Sequence, residues 1–347
     1  MIKKISNNSN ILIVYTGGTI GMIKDYETDA LKAFDFSQIF DRMPELQNFN
    51  CKISSVSLDQ PIDSSNMTIE SYYRIGDVIA NSYDDYDGFV VLSGTDTMSY
   101  ISSALSFMFE NLQKPIIFTG SQLPIGDLRT DAKENLITAI EIASAKKNNK
   151  AIVKEVALYF EYKLLRANRT IKINAETFEA FASINYPPLA ESGVTLQYHK
   201  KNLLKKKKGE KTLFFRKNLI NDIVVLKLFP GLTKNTVESI IGVSNIKGVI
   251  IESFGSGNAP TSSWFIDLLE KTIQKGVPVV NVTQCLGGSV VFGLYETSSE
   301  LQKIGVINGK DITTESAIAK MMYLLGQNLD SKQFKVVFET SLRGEMS

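Results

Sequence analysis

Histidine is all but missing from this chain: the single one, His199, stands beside a run of lysines. A Ser-His-Asp or Cys-His hydrolase would rest on that one imidazole, which argues against both classes. Cysteine is nearly as scarce. Cys51 and Cys285 do not make a disulfide framework, and clusters of Cys and His with zinc-ligand spacing are absent. The chain therefore reads as cytoplasmic, with reduced thiols. No run approaches the roughly twenty apolar residues that a membrane span requires. The apolar stretch Ile11–Tyr15 is too short for a signal-peptide core and leads into glycines instead of a cleavage site. Excess charge is lacking too: 38 basic and 37 acidic residues leave a net charge of +1, with no overall pull toward nucleic acid or membrane. A hydrolase of this composition would take its base from lysine, tyrosine or a carboxylate.

What is present alternates. Strand-like runs at Ile11–Tyr15, Phe89–Leu92, Pro115–Phe118 and Val156–Phe160 are separated by helical patterns at Thr68–Asn81, Tyr100–Asn111 and Asp131–Lys147. Such alternation predicts βαβ units and an α/β fold rich in parallel sheet. Asn66 or Thr68 is the expected cap of the first helix, and Asp84-Asp85-Tyr86-Asp87 reads as a turn. Over residues 1–198 this makes a larger N-terminal α/β domain. The lysine-dense stretch that follows, within residues 199–220, reads as a linker or protruding hairpin. An RNA-binding patch is the other reading, but it lacks interleaved aromatics. From residue 221 to 347 a smaller C-terminal α/β domain is expected, with strands at Ile223–Leu228, Gly248–Ile251 and Val277–Val280. Its helices are expected at Thr236–Ile241 and Ser262–Lys275.

Two of the apolar runs end in small polar loops that each carry a threonine. Ile11-Leu12-Ile13-Val14-Tyr15 leads into Thr16-Gly17-Gly18-Thr19-Ile20-Gly21, and Gly88-Phe89-Val90-Val91-Leu92 into Ser93-Gly94-Thr95-Asp96-Thr97. An open α/β sheet keeps its ligand crevice beyond the carboxyl ends of its strands, where both loops would lie. The glycines lack the spacing of a dinucleotide fingerprint, and no lysine closes a phosphate loop. A tight turn explains Gly17 and Gly18 but leaves Thr16 unexplained. Taken alone, Thr95-Asp96-Thr97 could cap the helix beginning near Ser99. The two loops together suggest acyl chemistry with threonine as nucleophile, Asp96 orienting a base or pairing with a substrate cation.

Thr16–Gly21 and Leu92-Ser93-Gly94-Thr95-Asp96-Thr97-Met98 resemble the two signature motifs of the bacterial-type L-asparaginases. The likeness runs along nearly the whole chain: Asp63-Ser64-Ser65-Asn66-Met67-Thr68, Thr119-Gly120-Ser121-Gln122-Leu123-Pro124, Leu128-Arg129-Thr130-Asp131, Asn168-Arg169-Thr170-Ile171-Lys172, Phe181-Ala182-Ser183 and Gly257-Asn258-Ala259-Pro260. Several of these are similar to the cytoplasmic type I branch. The resemblance implies hydrolysis of the side-chain amide of L-asparagine, with no cofactor and no metal. It casts Thr16 as nucleophile and Thr95, Lys172 and Asp96 as a proton relay. Ser64, Ser65 and Asp96 would hold the substrate's α-carboxylate and α-ammonium. Asn258 would reach a neighbouring subunit's site, which implies a homodimer or homotetramer. Lys172 comes from the resemblance alone, since a lysine beside Arg169 otherwise reads as a solvated charge.

The chain also departs from the family pattern. Tyr26, the one tyrosine in the flap after the first motif, falls earlier than the family's position; it is either the activator of Thr16 or an exposed loop aromatic. Cys285 resembles a cysteine of a regulatory asparagine pocket. Glu252 and Ile171 stand where that pocket would have an arginine and a threonine. The charge reversal at Glu252 would repel an effector carboxylate, so weak or absent allosteric activation is expected. Two other functions fit the scaffold: an asparaginase-like subunit of a tRNA-dependent amidotransferase, which normally carries an extra N-terminal domain, and a non-catalytic amino-acid sensor, for which a nucleophile would be superfluous.

Overall fold

Ile11 to Tyr15 and Gly88 to Leu92 are buried at every position, the mark of parallel strands covered on both faces. The computed structural model describes residues 9–24, 31–33, 43–205, 212–293 and 296–347. It divides into two units, Met1–Arg216 and Lys217–Ser347.

In the first unit eight strands form one sheet: β1 (Asn10–Tyr15), β2 (Lys52–Ser57), β3 (Gly88–Leu92), β4 (Ile116–Thr119), β5 (Val156–Phe160), β6 (Lys163–Arg166), β7 (Ala190–Glu191) and β8 (Gln197–Tyr198). Their order is β8-β7-β6-β5-β4-β3-β1-β2. The ladders from β2 to β5 are parallel, and those from β5 to β8 are antiparallel. Helices α1 (Ile69–Asn81), α2 (Met98–Met108) and α3 (Ala132–Ser144) link the strands. Because β1 pairs with β2 on one side and β3 on the other, the chain reverses its direction of travel across the sheet between β1 and β3. That is the topological switch point where open α/β sheets bind ligands. Tyr15 lies opposite Leu92, and Leu92 opposite Thr119, so Thr16, Ser93 and Gly120 leave the sheet side by side.

Local chemistry explains where the helices start and stop. Thr68 caps α1 through a reciprocal bond with Ser71. The expected helix to Asn111 ends instead at Met108, because Phe109–Glu110 pair with Phe214–Phe215 and the Phe109 and Phe215 rings stack 4.6 Å apart. The expected helix to Lys147 ends at Ser144. Lys146–Lys147 pair with Lys150–Ala151 across Asn148 and Asn149, both at positive φ (52° and 58°), the backbone that a two-residue hairpin requires. Phe214–Phe215 belong to the first unit; residues 206–211 of the lysine-rich stretch lie outside the described residues. His199 meets Glu191 Oε2 at 2.8 Å.

Four tyrosines of this unit make its stability pH-dependent. Burial pushes Tyr15 and Tyr72 up to about 12, and Tyr159 and Tyr198 in the same direction. The folded chain thus keeps phenolic protons that the unfolded chain loses above about pH 10. Their stabilising contribution is complete below that pH and is lost as pH rises toward the folded values, about 2–3 kcal/mol each for Tyr15 and Tyr72. Denaturant titrations should show stability falling steeply past about pH 10, with these four tyrosinates absorbing only after unfolding. Their ionisation in a fully folded protein would contradict this.

The second unit holds a four-stranded parallel sheet in sequence order: β9 (Ile223–Lys227), β10 (Gly248–Ser253), β11 (Val279–Thr283) and β12 (Ile307–Asn308). Its helices are α4 (Lys234–Ile241), α5 (Ser263–Gln274), α6 (Glu296–Lys303), α7 (Thr314–Leu325) and α8 (Ser331–Phe338). Leu226, Val237, Val249, Ile251, Phe265, Leu269 and Val279 share one core. Lys320 on α7 is fully buried against Glu345 and donates to Phe338 O and Thr340 O, each at 2.7 Å, tying the end of α8 to α7. No described helix is long and apolar enough to cross a membrane.

Candidate active site

The first loop is built by close backbone approach. Thr16 N and Thr16 Oγ1 both donate to Leu92 O, each at 2.9 Å, and Thr16 O accepts from Ile62 N at 2.7 Å. Gly17 and Gly18 have φ of 123° and 90°; a Cβ there would stand 2.3 Å from Ile62 O and 2.4 Å from Gly94 N. Only glycine lets the loops after β1 and β3 and the segment at Ile62 press together in this way. Thr16 is 1% exposed, and its hydroxyl proton points to a carbonyl. A hydroxyl engaged in this way would have to be re-aimed toward a base before it could serve as a nucleophile.

Next to it, Asp63 Oδ1 accepts from Ser65 N at 3.0 Å, which caps the Ser64–Asn66 turn and holds the Asp63 carboxyl below its usual range. Ser64 is buried and Ser65 exposed. Thr97 Oγ1 donates to Ser64 O at 2.8 Å, binding this turn to the second loop. Thr97 sits at the N-cap of α2 but makes no side-chain cap bond, so the helix-cap reading of Thr95-Asp96-Thr97 is not what the loop does.

Lys172 completes the constellation. Its Nζ donates to Thr95 Oγ1 at 2.8 Å and to Asp96 Oδ1 at 2.6 Å. Its side chain is 18% exposed, against 65% for Asp96. The lysine is held by the ladder of Ile171–Lys172 with Phe181–Ala182. Just upstream, buried Arg166 pairs with Glu155 at 2.6 Å and lies over the Tyr186 ring at 4.3 Å, a rigid base for that strand. Thr95 accepts from Lys172, so its own proton goes elsewhere, to Gln122 Oε1 at 3.4 Å.

Gln122 was given no role by sequence reasoning. Its Nε2 donates to Ala175 O (3.2 Å) and Thr177 O (3.0 Å), just beyond Lys172. Those two bonds fix the orientation of the amide, so Oε1 is the atom offered to Thr95. Asp131 holds the Gln122 and Leu123 backbone N–H groups (3.0–3.1 Å) and accepts from Asn135 Nδ2 at 3.2 Å. The available signal was position: Gln122 follows β4, the third strand ending at the crevice. Asp131 stands at the N-cap of α3 but makes no side-chain cap bond.

Thr16, Ser64, Ser65, Thr95, Asp96 and Lys172 thus come from loops joined by direct contacts in the first unit. Tyr26 lies outside the described residues. Asn258 belongs to the second unit, in a loop where Phe254 and Asn258 exchange backbone bonds of 2.9 and 2.8 Å. There too, Glu252 accepts from Thr314 Oγ1 at 2.6 Å and lies 3.8 Å from Lys227 Nζ, while Cys285 is exposed. Among the described residues, no group of three His, Cys, Asp or Glu side chains could hold a metal ion.

Comparison with known proteins decides the family. The family model "Asparaginase, N-terminal" matches residues 10–204, and "Glutaminase/Asparaginase C-terminal domain" matches residues 222–338. The chain belongs to the asparaginase family. It is an enzyme of the L-asparaginase type, an amidohydrolase. It is 39% identical to L-asparaginase 1 of Escherichia coli K12 over 97% of this chain and 98% of that protein. The crystal structure of L-asparaginase I from Vibrio cholerae superposes with a TM-score of 0.88 at 40% identity, covering 98% of this chain and 99% of that one. A glutamyl-tRNA(Gln) amidotransferase polypeptide of Thermoplasma acidophilum is 31% identical over 99% of this chain and 82% of that protein. The two-domain α/β architecture expected for the asparaginase family is the one observed.

Proposed function

We propose that the chain hydrolyses the side-chain amide of L-asparagine to L-aspartate and ammonia through an acyl-enzyme on Thr16. The observation that carries this reading is the bifurcated contact of Lys172 with Thr95 Oγ1 and Asp96 Oδ1, at 2.8 and 2.6 Å, beside the loop that presents Thr16. In the first half-reaction Thr16 Oγ1 bonds to the amide carbon and gives up its proton. Backbone N–H groups of these loops stabilise the oxyanion. The C–N bond then breaks, and the nitrogen leaves with the proton as ammonia. In the second half-reaction the Thr95–Lys172 pair takes a proton from water as it attacks the ester. The Thr16 C–O bond breaks, and Thr16 is reprotonated. For this the lysine must pass through its neutral form, with the Thr95 proton swung from Gln122 toward Nζ.

Ser64 and Ser65 would receive the α-carboxylate, and exposed Asp96 would pair with the α-ammonium. Tyr26 remains the candidate activator of Thr16. Asn258 is assigned to a partner subunit's site, which makes a homodimer or homotetramer the active assembly, in the cytoplasm. The amidotransferase reading is weaker, because identity (39% against 31%) and the share of the relative that is covered (98% against 82%) are both higher with asparaginase 1. A sensor would have no use for the Lys172–Thr95 contact.

Ammonia release from L-asparagine, measured over a wide concentration range, tests this reading. Turnover is expected, and the curve should be hyperbolic: the Glu252 carboxylate, held by Thr314 Oγ1, would repel an effector carboxylate. Sigmoidal turnover would overturn the regulatory reading alone, whereas inactivity on asparagine would overturn the substrate.

A further inference from the structure

A cavity of about 380 Å³ opens at the amino ends of β11 and β12 in the second unit. The loops bearing Asn258 and Cys285 follow the carboxyl ends of β10 and β11, so the cavity lies at the opposite end of this sheet. Its volume is in the range of small-molecule sites and far above the voids of a close-packed interior. Ile273, Val277, Val279, Ile307, Leu324 and Leu325 make an aliphatic floor and walls. Every polar side chain in the lining comes instead from one short segment: Asn328, Ser331, Lys332 and Lys335. The cavity is thus amphipathic, with an oily interior and a cationic edge.

The nearby charges leave that edge uncompensated. No carboxylate contributes to the lining, and among the described residues neither Lys332 nor Lys335 forms an ion pair. Asp330, in the same segment, caps α8 by accepting from Gln333 N at 2.8 Å. Glu339, beyond the helix, accepts from Asn308 N at 3.0 Å. The wall cannot simply collapse inward, because Lys320 pins the end of α8 to α7. Val279, Ile307 and Leu324 are buried beneath the floor, whereas Ile273, Val277, Leu325 and Leu329 in the lining are only half-buried and lack contact partners that an apolar body would supply.

We propose that this cavity is a binding site for an amphiphilic monocarboxylate, a medium-chain fatty acid or an aromatic acid of similar size. The hydrocarbon fills the space between Ile273, Val277, Leu325 and Leu329, and the carboxylate meets Lys332 and Lys335. A monocarboxylate suits two separate flexible ammonium groups better than a polyanion, which would want convergent, fixed donors. This site is independent of the asparagine reading, since none of its residues belongs to the proposed catalytic machinery.

The test is calorimetric titration of the intact protein with decanoate below its micelle concentration, and with decylamine as the opposite-charge control. Saturable binding of decanoate, with none of decylamine, is expected. The double variant Lys332→Glu, Lys335→Glu should weaken decanoate at least tenfold, and Leu325→Trp, which fills the cavity from a half-buried position, should abolish binding. Asparagine turnover and oligomeric state should be unchanged in both. Three results would overturn the proposal: no binding of decanoate, equal binding by wild type and both variants, or loss of oligomerisation in Leu325→Trp, which would make the face a contact between copies of the chain.

Discussion

Thr16→Ala is expected to lower kcat for asparagine hydrolysis by about 10⁴-fold or more, because removal of a nucleophile removes the covalent route altogether. The fold should survive. The Thr16 backbone N–H keeps its bond to Leu92 O, and only the Oγ1 bond to the same carbonyl is lost, at a cost of about 1 kcal/mol. Thr16→Ser keeps a hydroxyl at the same place and should retain measurable turnover. The pair of variants therefore separates loss of chemistry from loss of structure. A Thr16→Ala protein within about tenfold of wild type would remove Thr16 from the mechanism and turn attention to Thr95.

Lys172→Met should lower kcat by roughly 10²–10⁴-fold, the usual scale for a positioned proton-transfer group. Methionine keeps the length and apolar stem of the side chain but deletes both contacts, to Thr95 and to Asp96. Asp96 is 65% exposed, so water replaces the lost partner and stability should change little. Lys172→Arg is the sharper comparison. An arginine keeps the positive charge yet does not give up its proton in proteins, so it should be about as inactive as the methionine. Full activity in Lys172→Arg would reduce Lys172 to a fixed charge and contradict the relay.

Much of this arrangement is legible in the sequence, and for physical reasons. β1 and β3 are buried on both faces, so their sequences are continuously apolar, and the loops beyond them stand out as the first polar residues. The switch point needed β2 as well, and Lys52-Ile53-Ser54-Ser55-Val56-Ser57 hides it. Among the described residues this edge strand pairs only with β1, and it tolerates serines that blur the period. Lys172 was invisible to patterning because its strand is two residues long and a lysine there carries no apolar signature. Gln122 and Asp131 were invisible for another reason. Their roles lie in where their hydrogen bonds go, and no spacing rule encodes that Asp131 would serve the Gln122 loop instead of its own helix. The asparagine pair at Asn148-Asn149 was a turn signal within a lysine-rich stretch that otherwise prolonged a helical pattern.

The central claim is that asparagine passes through an ester on Thr16, and the most direct measurement is mass analysis of enzyme quenched in acid during turnover of L-asparagine. The account predicts an aspartyl group on the peptide that carries Thr16, absent from the Thr16→Ala protein. An aspartyl group on the Thr95 peptide, or ammonia release with no covalent species on either peptide, would contradict it.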